Sequence, residues 1–188
     1  GVQTCALPIL ATGDVDDILI GNAFASEDEF KKLQEVLKEN EKLSKELDPT
    51  LKMLVDHGII SLDKPVKKLR VTLDEEITEK EKEILFDFFP HLEMGDSSEW
   101  IWRTRISRFK YSQPNEILTP RHYDKEMFKV GDVVVVNDNY KHYAGEIQIV
   151  KIPIVNDGTR NRIGYLDSDE YQMMELVYDG DLVEFLEK

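Results

Sequence analysis

The chain has 188 residues, of which 41% are apolar and 33% charged, and its formal net charge at pH 7 is −14. This length can bury one good core, or a core and a fragment of another domain. The acidic balance argues against nucleic acid and an anionic membrane surface as partners, since phosphate contacts need a basic face. No apolar stretch approaches the roughly 20 residues that span a bilayer.

The first nine residues look foreign to the rest of the chain. Residues 1–9 show no amphipathic period and resemble the translation of a sequencing-adapter read-through, so we interpret them as an assembly scar. The single cysteine, Cys5, lies in this segment. The remaining chain then has no disulfide and no thiolate nucleophile, which fits a reducing, cytoplasmic location.

The first predicted element is a β-strand over residues 16–21, followed by a capping box at Ser26 and Glu29 that begins a helix. The strand is a continuous apolar run, as is typical of a parallel strand covered on both faces. Parallel strands need neighbours, and nothing upstream supplies them. We therefore predict that the chain is the C-terminal part of a longer protein, cut inside an α/β domain.

A second predicted helix and a linker precede the strand-rich part of the chain. Asp48 and Pro49 predict an N-cap with proline in the first helical turn, for a helix that stops at Gly58. Residues 61–65 have the composition of a linker.

From Lys67 onward the pattern predicts strands. A capping box at Thr78 and Glu81 interrupts them with a short helix that ends near Pro90. Short strands at close spacing with polar turns indicate a small barrel or sandwich, so residues 67–188 are predicted to be mostly β. The nearly all-acidic segment 167–181 is interpreted as solvated surface. The predicted strands cover residues 69–73, 99–111, 133–136, 145–151, 162–166 and 182–186.

Catalytic and metal-binding motifs are not found. The sequence has no P-loop, no dinucleotide fingerprint, no HExxH and no Gly-x-Ser-x-Gly. The four histidines lack paired spacing and cysteine partners, so we expect each to be a surface or turn histidine, and we expect neither a metal nor a cofactor. They are His57, His91, His122 and His142.

Residues 132–151 read as a β-hairpin with polar groups on its second strand. Alternation places Ile147 and Ile149 on one face, and Glu146 and Gln148 on the other with Ala144 and Val150. Two neighbouring polar side chains on an otherwise apolar strand either line a cleft or reach an internal partner.

Three arginines offer such a partner. Arg103, Arg105 and Arg108 lie in a predicted strand that also carries two tryptophans. Arginine suits bidentate recognition of a carboxylate or phosphate ligand. The alternative is an ion pair with Glu146 that ties two strands together, since structural ion-pair networks are common.

Residues 15–26, 99–108, and 131–139 with 143–149 resemble segments of the bacterial 6-phospho-N-acetylmuramidases. Members of that family pair an N-terminal TIM barrel with a C-terminal cyclophilin-like β-barrel. The resemblance implies a mostly β fold, in which a cyclophilin-like small barrel over residues 67–188 follows a remnant of a TIM barrel over residues 10–66. That remnant would hold the last barrel strand and its helix, with an extra helix.

The resemblance also implies an activity. The parent enzyme would hydrolyse a 6-phosphorylated N-acetylmuramyl disaccharide inside the cell during cell-wall recycling. Glycoside hydrolysis normally needs two carboxyl groups, and in this family they would come from barrel strands missing here. We therefore assign no catalytic residue, and expect this chain alone to be inactive.

What the chain can contribute is substrate binding. We expect Asn22 and the face formed by Arg103, Arg108, Glu146 and Gln148 to meet across the domain boundary, with an arginine engaging the phosphate or lactyl carboxylate. The alternative is a non-catalytic module, either a lid or an oligomerisation surface, whose polar residues form only an internal network. Homo-oligomerisation stays open.

Overall fold

The computed structural model describes residues 27, 31, 45–64 and 66–188. Several predictions fall outside these residues: the scar at 1–9, the strand at 16–21, the capping-box residue Ser26 and the binding residue Asn22. The remnant of a TIM barrel therefore stays a prediction. Within the described part of the chain, no helix is long and apolar enough to cross a bilayer.

The helices of the described residues are short, and most of them begin at a side-chain cap, although none caps the helix over Arg108–Tyr111. Helix α1 starts as predicted, because the Asp48 carboxylate accepts a hydrogen bond from the Thr50 N–H at 2.8 Å. Helix α4 (Ser168–Met174) is not among the predicted elements, although the Asp167 side chain caps it by accepting from two backbone N–H groups. The helical segments are α1 (Pro49–Asp56), α2 (Glu79–Lys82, continued by a π-helical turn over Glu83–Asp87), α3 (Arg108–Tyr111), a 3-10 segment (Asp138–Tyr143) and α4 (Ser168–Met174).

The described residues form nine strands: β1 (Val66–Leu73), β2 (His91–Leu92), β3 (Ile101–Thr104), β4 (Met127–Phe128), β5 (Asp132–Val136), β6 (Ile147–Val150), β7 (Ile154–Val155), β8 (Arg160–Tyr165) and β9 (Leu182–Glu187). Seven of them form one sheet in the order β2-β9-β1-β8-β5-β6-β3, and β4 pairs with β7. The pairs are antiparallel except β1 and β9, which run parallel. The sheet curls into a nearly closed barrel, so the mostly β fold predicted for this part of the chain is confirmed.

A buried histidine bridges the two edge strands of the barrel. His91 on β2 places Nδ1 3.1 Å from the Thr104 hydroxyl on β3, and Nε2 3.2 Å from the Leu85 carbonyl. The expectation of a surface or turn position is wrong for His91, whose exposed fraction is 1%. Burial lowers its pKa to about 4, so the ring is neutral at pH 7.

The barrel interior holds the main core, and the alternation predicted for β6 is confirmed. Ile147 and Ile149 point into that core. On the outer face, a second small cluster covers Val134 and Val150, because Phe128 on β4 packs over them. This cover explains why β5 and β6 are buried on both faces.

The predicted strand over residues 99–111 is partly wrong. Only Ile101–Thr104 is extended, and the chain then turns into α3. The turn is held by side-chain and backbone hydrogen bonds, since the Ser107 hydroxyl donates to the Gly145 carbonyl at 2.6 Å and the Tyr111 N–H donates to the Ser107 carbonyl at 3.0 Å. Arg108 therefore lies on a helical turn and not on the strand that carries Arg103.

Candidate functional site

Gly145 sets the position of the predicted polar pair on β6. Its φ of +87° is in the left-handed region, which favours glycine. A Cβ at this position would lie 2.5 Å from the Tyr111 Cβ, so the backbone of the hairpin touches the end of α3. The next residue, Glu146, is fully buried on the outer face of the barrel.

Replacing Gly145 with alanine is expected to lower the free energy of unfolding by about 2–4 kcal/mol, because backbone strain adds to a steric overlap. Gly158→Ala is the matched control: φ there is +77°, but the nearest neighbouring atom is 3.9 Å from the added Cβ. We expect the control to lose only about 1 kcal/mol in urea denaturation. Equal losses would show that the contact with Tyr111 contributes nothing.

The Glu146 carboxylate is the centre of a polar cluster. Arg108 Nη1 donates to its Oε2 at 3.1 Å, Gln148 Nε2 donates to Oε1 at 2.7 Å, and Arg103 Nη1 lies 3.7 Å from Oε1. The structure thus shows the internal ion pair with Glu146, the alternative to ligand recognition by these arginines. It ties β3 and α3 to β6.

Arg160 joins the same group and was missed. Its Nε donates to Gln148 Oε1 at 2.7 Å, so Gln148 connects it to Glu146. Arg160 lies two residues before the predicted strand over residues 162–166. The contact of Arg160 with Gln148 also depends on how β5, β6 and β8 pair, and the β5–β8 register shifts at Val133 and Val134. We call Arg103, Arg108, Glu146, Gln148 and Arg160 the arginine–glutamate cluster.

The cluster and its surroundings carry an excess of positive charge in an acidic chain. Asp96 is shared by Arg103 and Arg105, each with an N–O distance of 3.0 Å, and Asp157 pairs with Arg160 at 3.2 Å. Together with Arg108 and Glu146, this makes four arginines against three carboxylates.

Within the arginine–glutamate cluster, Arg108 is the arginine with the most unused N–H donors. Its guanidinium stacks on Tyr143, with Cζ 4.1 Å from the ring centroid. Within the described residues, its side chain donates one hydrogen bond, to Glu146. An arginine has five N–H donors, and this side chain is 20% exposed whereas Glu146 is 0% exposed. Arg108 can therefore donate to an anion from solution while Glu146 fixes its position.

Of the predicted binding residues, the structure brings together Arg103, Arg108, Glu146 and Gln148, while Asn22 lies outside the described residues. Arg105 pairs with Asp96 and does not join the cluster. In the described ranges, no group of three His, Cys, Asp or Glu side chains could hold a metal ion.

Another concave surface lies elsewhere on the barrel. A cleft of about 520 Å³ is lined by the Trp102 indole and by residues after α4, among them Tyr178 and Asp179. The arginine–glutamate cluster does not contribute to this cleft, and lies on the outer face of β3, β6 and β8.

The fold and the cluster define a small, nearly closed β-barrel domain with an arginine-rich outer face. Residues 67–186 match the family described as "6-phospho-N-acetylmuramidase, C-terminal". The chain therefore belongs to this family, as its sequence motifs indicated.

Two solved structures share the fold. An uncharacterized Bacillus cereus protein is 25% identical with a TM-score of 0.69, and the match covers 98% of this chain and 44% of that one. A conserved Enterococcus faecalis protein with an unknown function is 20% identical with a TM-score of 0.51, over 65% of this chain and 30% of that one. The chain thus spans less than half the length of either relative. No curated protein matches it.

Proposed function

We propose that this chain is the C-terminal part of a cytoplasmic glycoside hydrolase that cleaves 6-phosphorylated N-acetylmuramyl saccharides in cell-wall recycling. Residues 67–188 would form its cyclophilin-like domain, and residues 10–66 would end its TIM barrel. The family match supports the substrate class, and the larger size of the Bacillus cereus relative leaves room for a catalytic domain. In this proposal the chain binds substrate and supplies no catalytic carboxylate.

The observation that carries the proposal is the state of Arg108. Its guanidinium is oriented by the Tyr143 ring and by Glu146, yet keeps donors that no described residue engages. An arginine held in this way loses little conformational freedom on binding, and its planar fork matches the oxygens of a phosphate or carboxylate. Arg103 and Arg160 belong to the same cluster, and each pairs with an aspartate.

Glu146 has a positioning role in this arrangement. It is fully buried beneath the arginines, and its two oxygens already accept from Arg108 and Gln148. A general acid or base must reach the bond it cleaves, and Glu146 cannot reach a ligand without displacing Arg108. The catalytic carboxylates are accordingly assigned to the TIM barrel.

The proposal is tested by titrating the 188-residue chain with 6-phosphorylated N-acetylmuramic acid, using isothermal calorimetry. Arg108→Ala is expected to weaken binding by about 10- to 100-fold, because hydrogen bonds to a charged group are lost. Arg70→Ala is the matched control: it removes the same charge from a half-exposed arginine paired with Glu170, and should leave the affinity unchanged.

Two results would contradict the proposal. One is a wild-type chain that does not bind the phosphorylated sugar. The other is equal affinity in the Arg108 and Arg70 variants. Because Arg108→Ala also breaks an ion pair, its melting temperature is measured in parallel, and Arg108→Lys retains the charge without the planar fork.

The second candidate is a non-catalytic module, and the three-way contact of Glu146 favours it. Arg103, Arg108 and Gln148 join separate elements through this one carboxylate, as a structural network would. On this hypothesis Arg108→Ala lowers stability, and phosphorylated sugar has no effect on either protein.

A further inference from the structure

Beside the cluster, the 3-10 segment between β5 and β6 presents an aromatic pair. The rings of Tyr140 and Tyr143 have centroids 4.5 Å apart and are tilted by 36°. Tyr143 contacts both Tyr140 and Arg108, since the guanidinium Cζ of Arg108 lies 4.1 Å from the centroid of the Tyr143 ring. Tyr143 therefore joins the aromatic pair to the arginine.

The backbone turns Tyr140 outward at this point. Its φ of −130° and ψ of 63° are not helical and break the 3-10 segment in two. The ring is 49% exposed, whereas Tyr143 is only partly exposed. A large apolar ring facing solvent next to an arginine with spare donors is typical of a ligand-binding surface, where aromatic faces provide contact area and a few polar groups fix orientation.

The 3-10 segment that carries Tyr140 is fixed by hydrogen bonds and an ion pair near its start. The buried Asn137 side chain accepts from the Asn139 N–H at 3.0 Å and donates to the Gly158 carbonyl at 3.1 Å. Lys141 pairs with Asp138 at 2.9 Å. Because these contacts order the turn before any ligand arrives, a ring stacked on Tyr140 would cost little additional ordering.

We propose that Tyr140 is the stacking platform for the sugar ring of the ligand whose phosphate binds Arg108. This inference rests on the proposed function and extends it, since it assigns the sugar and the phosphate to separate side chains. The apolar C–H face of a pyranose lies against the Tyr140 ring, while Arg108 holds the anionic substituent. Tyr140 thereby selects for a sugar phosphate over a free anion.

The test compares two ligands on the 188-residue chain: 6-phosphorylated N-acetylmuramic acid and inorganic phosphate. Tyr140→Ala is expected to weaken binding of the phosphosugar by about five- to tenfold and to leave phosphate affinity unchanged. Tyr140→Phe keeps the ring and should bind both ligands as the wild type does. Tyr178→Ala is the matched control, because that tyrosine is similarly exposed but lies outside the cluster. Affinities are measured by NMR titration.

The outcomes separate this inference from the proposed function. If the wild-type chain binds neither ligand, both are overturned. If it binds the phosphosugar and Tyr140→Ala binds equally well, only the stacking role is overturned. A loss of phosphate affinity in Tyr140→Ala would also overturn it, since the tyrosine would then act by placing Arg108.

Discussion

Replacing Glu81 with alanine is expected to lower the free energy of unfolding by about 3–5 kcal/mol. Glu81 is fully buried, and its Oε1 accepts from Arg121 Nε at 2.9 Å and from Asn161 Nδ2 at 2.8 Å. Its Oε2 accepts from the Thr78 N–H at 2.7 Å and from the Thr78 hydroxyl at 2.8 Å. The variant would remove one acceptor each from Arg121 Nε and the Asn161 amide, and would remove half of a capping box.

Glu79→Ala is the matched control for this prediction, measured in the same urea denaturation experiments. Glu79 lies two residues earlier in α2, its side chain is 90% exposed, and its ion-pair partner is Lys82. Its removal should change stability by no more than about 0.5 kcal/mol. A similar change in both variants would show that the buried network around Glu81 contributes little to stability.

Glu81 also shows what the sequence can predict of this fold and what it cannot. The capping box with Thr78 follows from four consecutive residues, and the structure confirms it. The bonds from Arg121 and Asn161 join residues that are 40 and 80 positions apart. Such contacts depend on how segments far apart in the chain pack together, which no local pattern encodes.

The predicted elements that are wrong or absent lie where contacts with other parts of the chain, or a cap hidden in a charged segment, decide the structure. Residues 99–111 are rich in aromatic and β-branched side chains, yet the chain turns after Thr104, because Ser107 bonds to the neighbouring hairpin. Helix α4 lies in an acidic segment, where the N-cap at Asp167 was available as a signal but charge density suggested only surface. The surface prediction for His91 is wrong because no sequence pattern shows that this residue lies between β2 and β3, the two edge strands that His91 bridges.

The candidate site was more accessible to sequence reasoning. Glu146 and Gln148 were visible as polar residues on an apolar strand, and Arg103 and Arg108 as candidate partners. Arg160 was not, because its contact with Gln148 requires the pairing of β5 with both β6 and β8. Local alternation thus identifies which side chains share a face, whereas strand order decides which of them meet.

Replacing Glu146 with alanine is expected to lower the free energy of unfolding by about 2–4 kcal/mol. The loss is smaller than for Glu81, because Arg103 and Arg108 are partly exposed and water can hydrate them, while Gln148 is buried and loses its acceptor. Glu187→Ala, at an exposed position at the end of β9, is the control and should be close to neutral.

The Glu146→Ala variant also distinguishes the hypothesis of a purely structural network from that of a binding site. If the cluster binds anions, the variant should be less stable than the wild type but should bind an anion more tightly. Removing the Glu146 carboxylate takes away one of the two groups that orient Arg108, but the stack on Tyr143 remains, the cluster becomes more positive by one charge and Arg108 Nη1 is freed. We expect the gain in charge and free donors to outweigh the loss of positioning, so inorganic phosphate should bind more tightly than to the wild type. Phosphate should then raise the melting temperature of Glu146→Ala more than that of the wild type. The double variant Arg108→Ala with Glu146→Ala should lose this added stabilisation. If phosphate has no effect on the melting temperature of any of the three proteins, the cluster serves only to hold the barrel together.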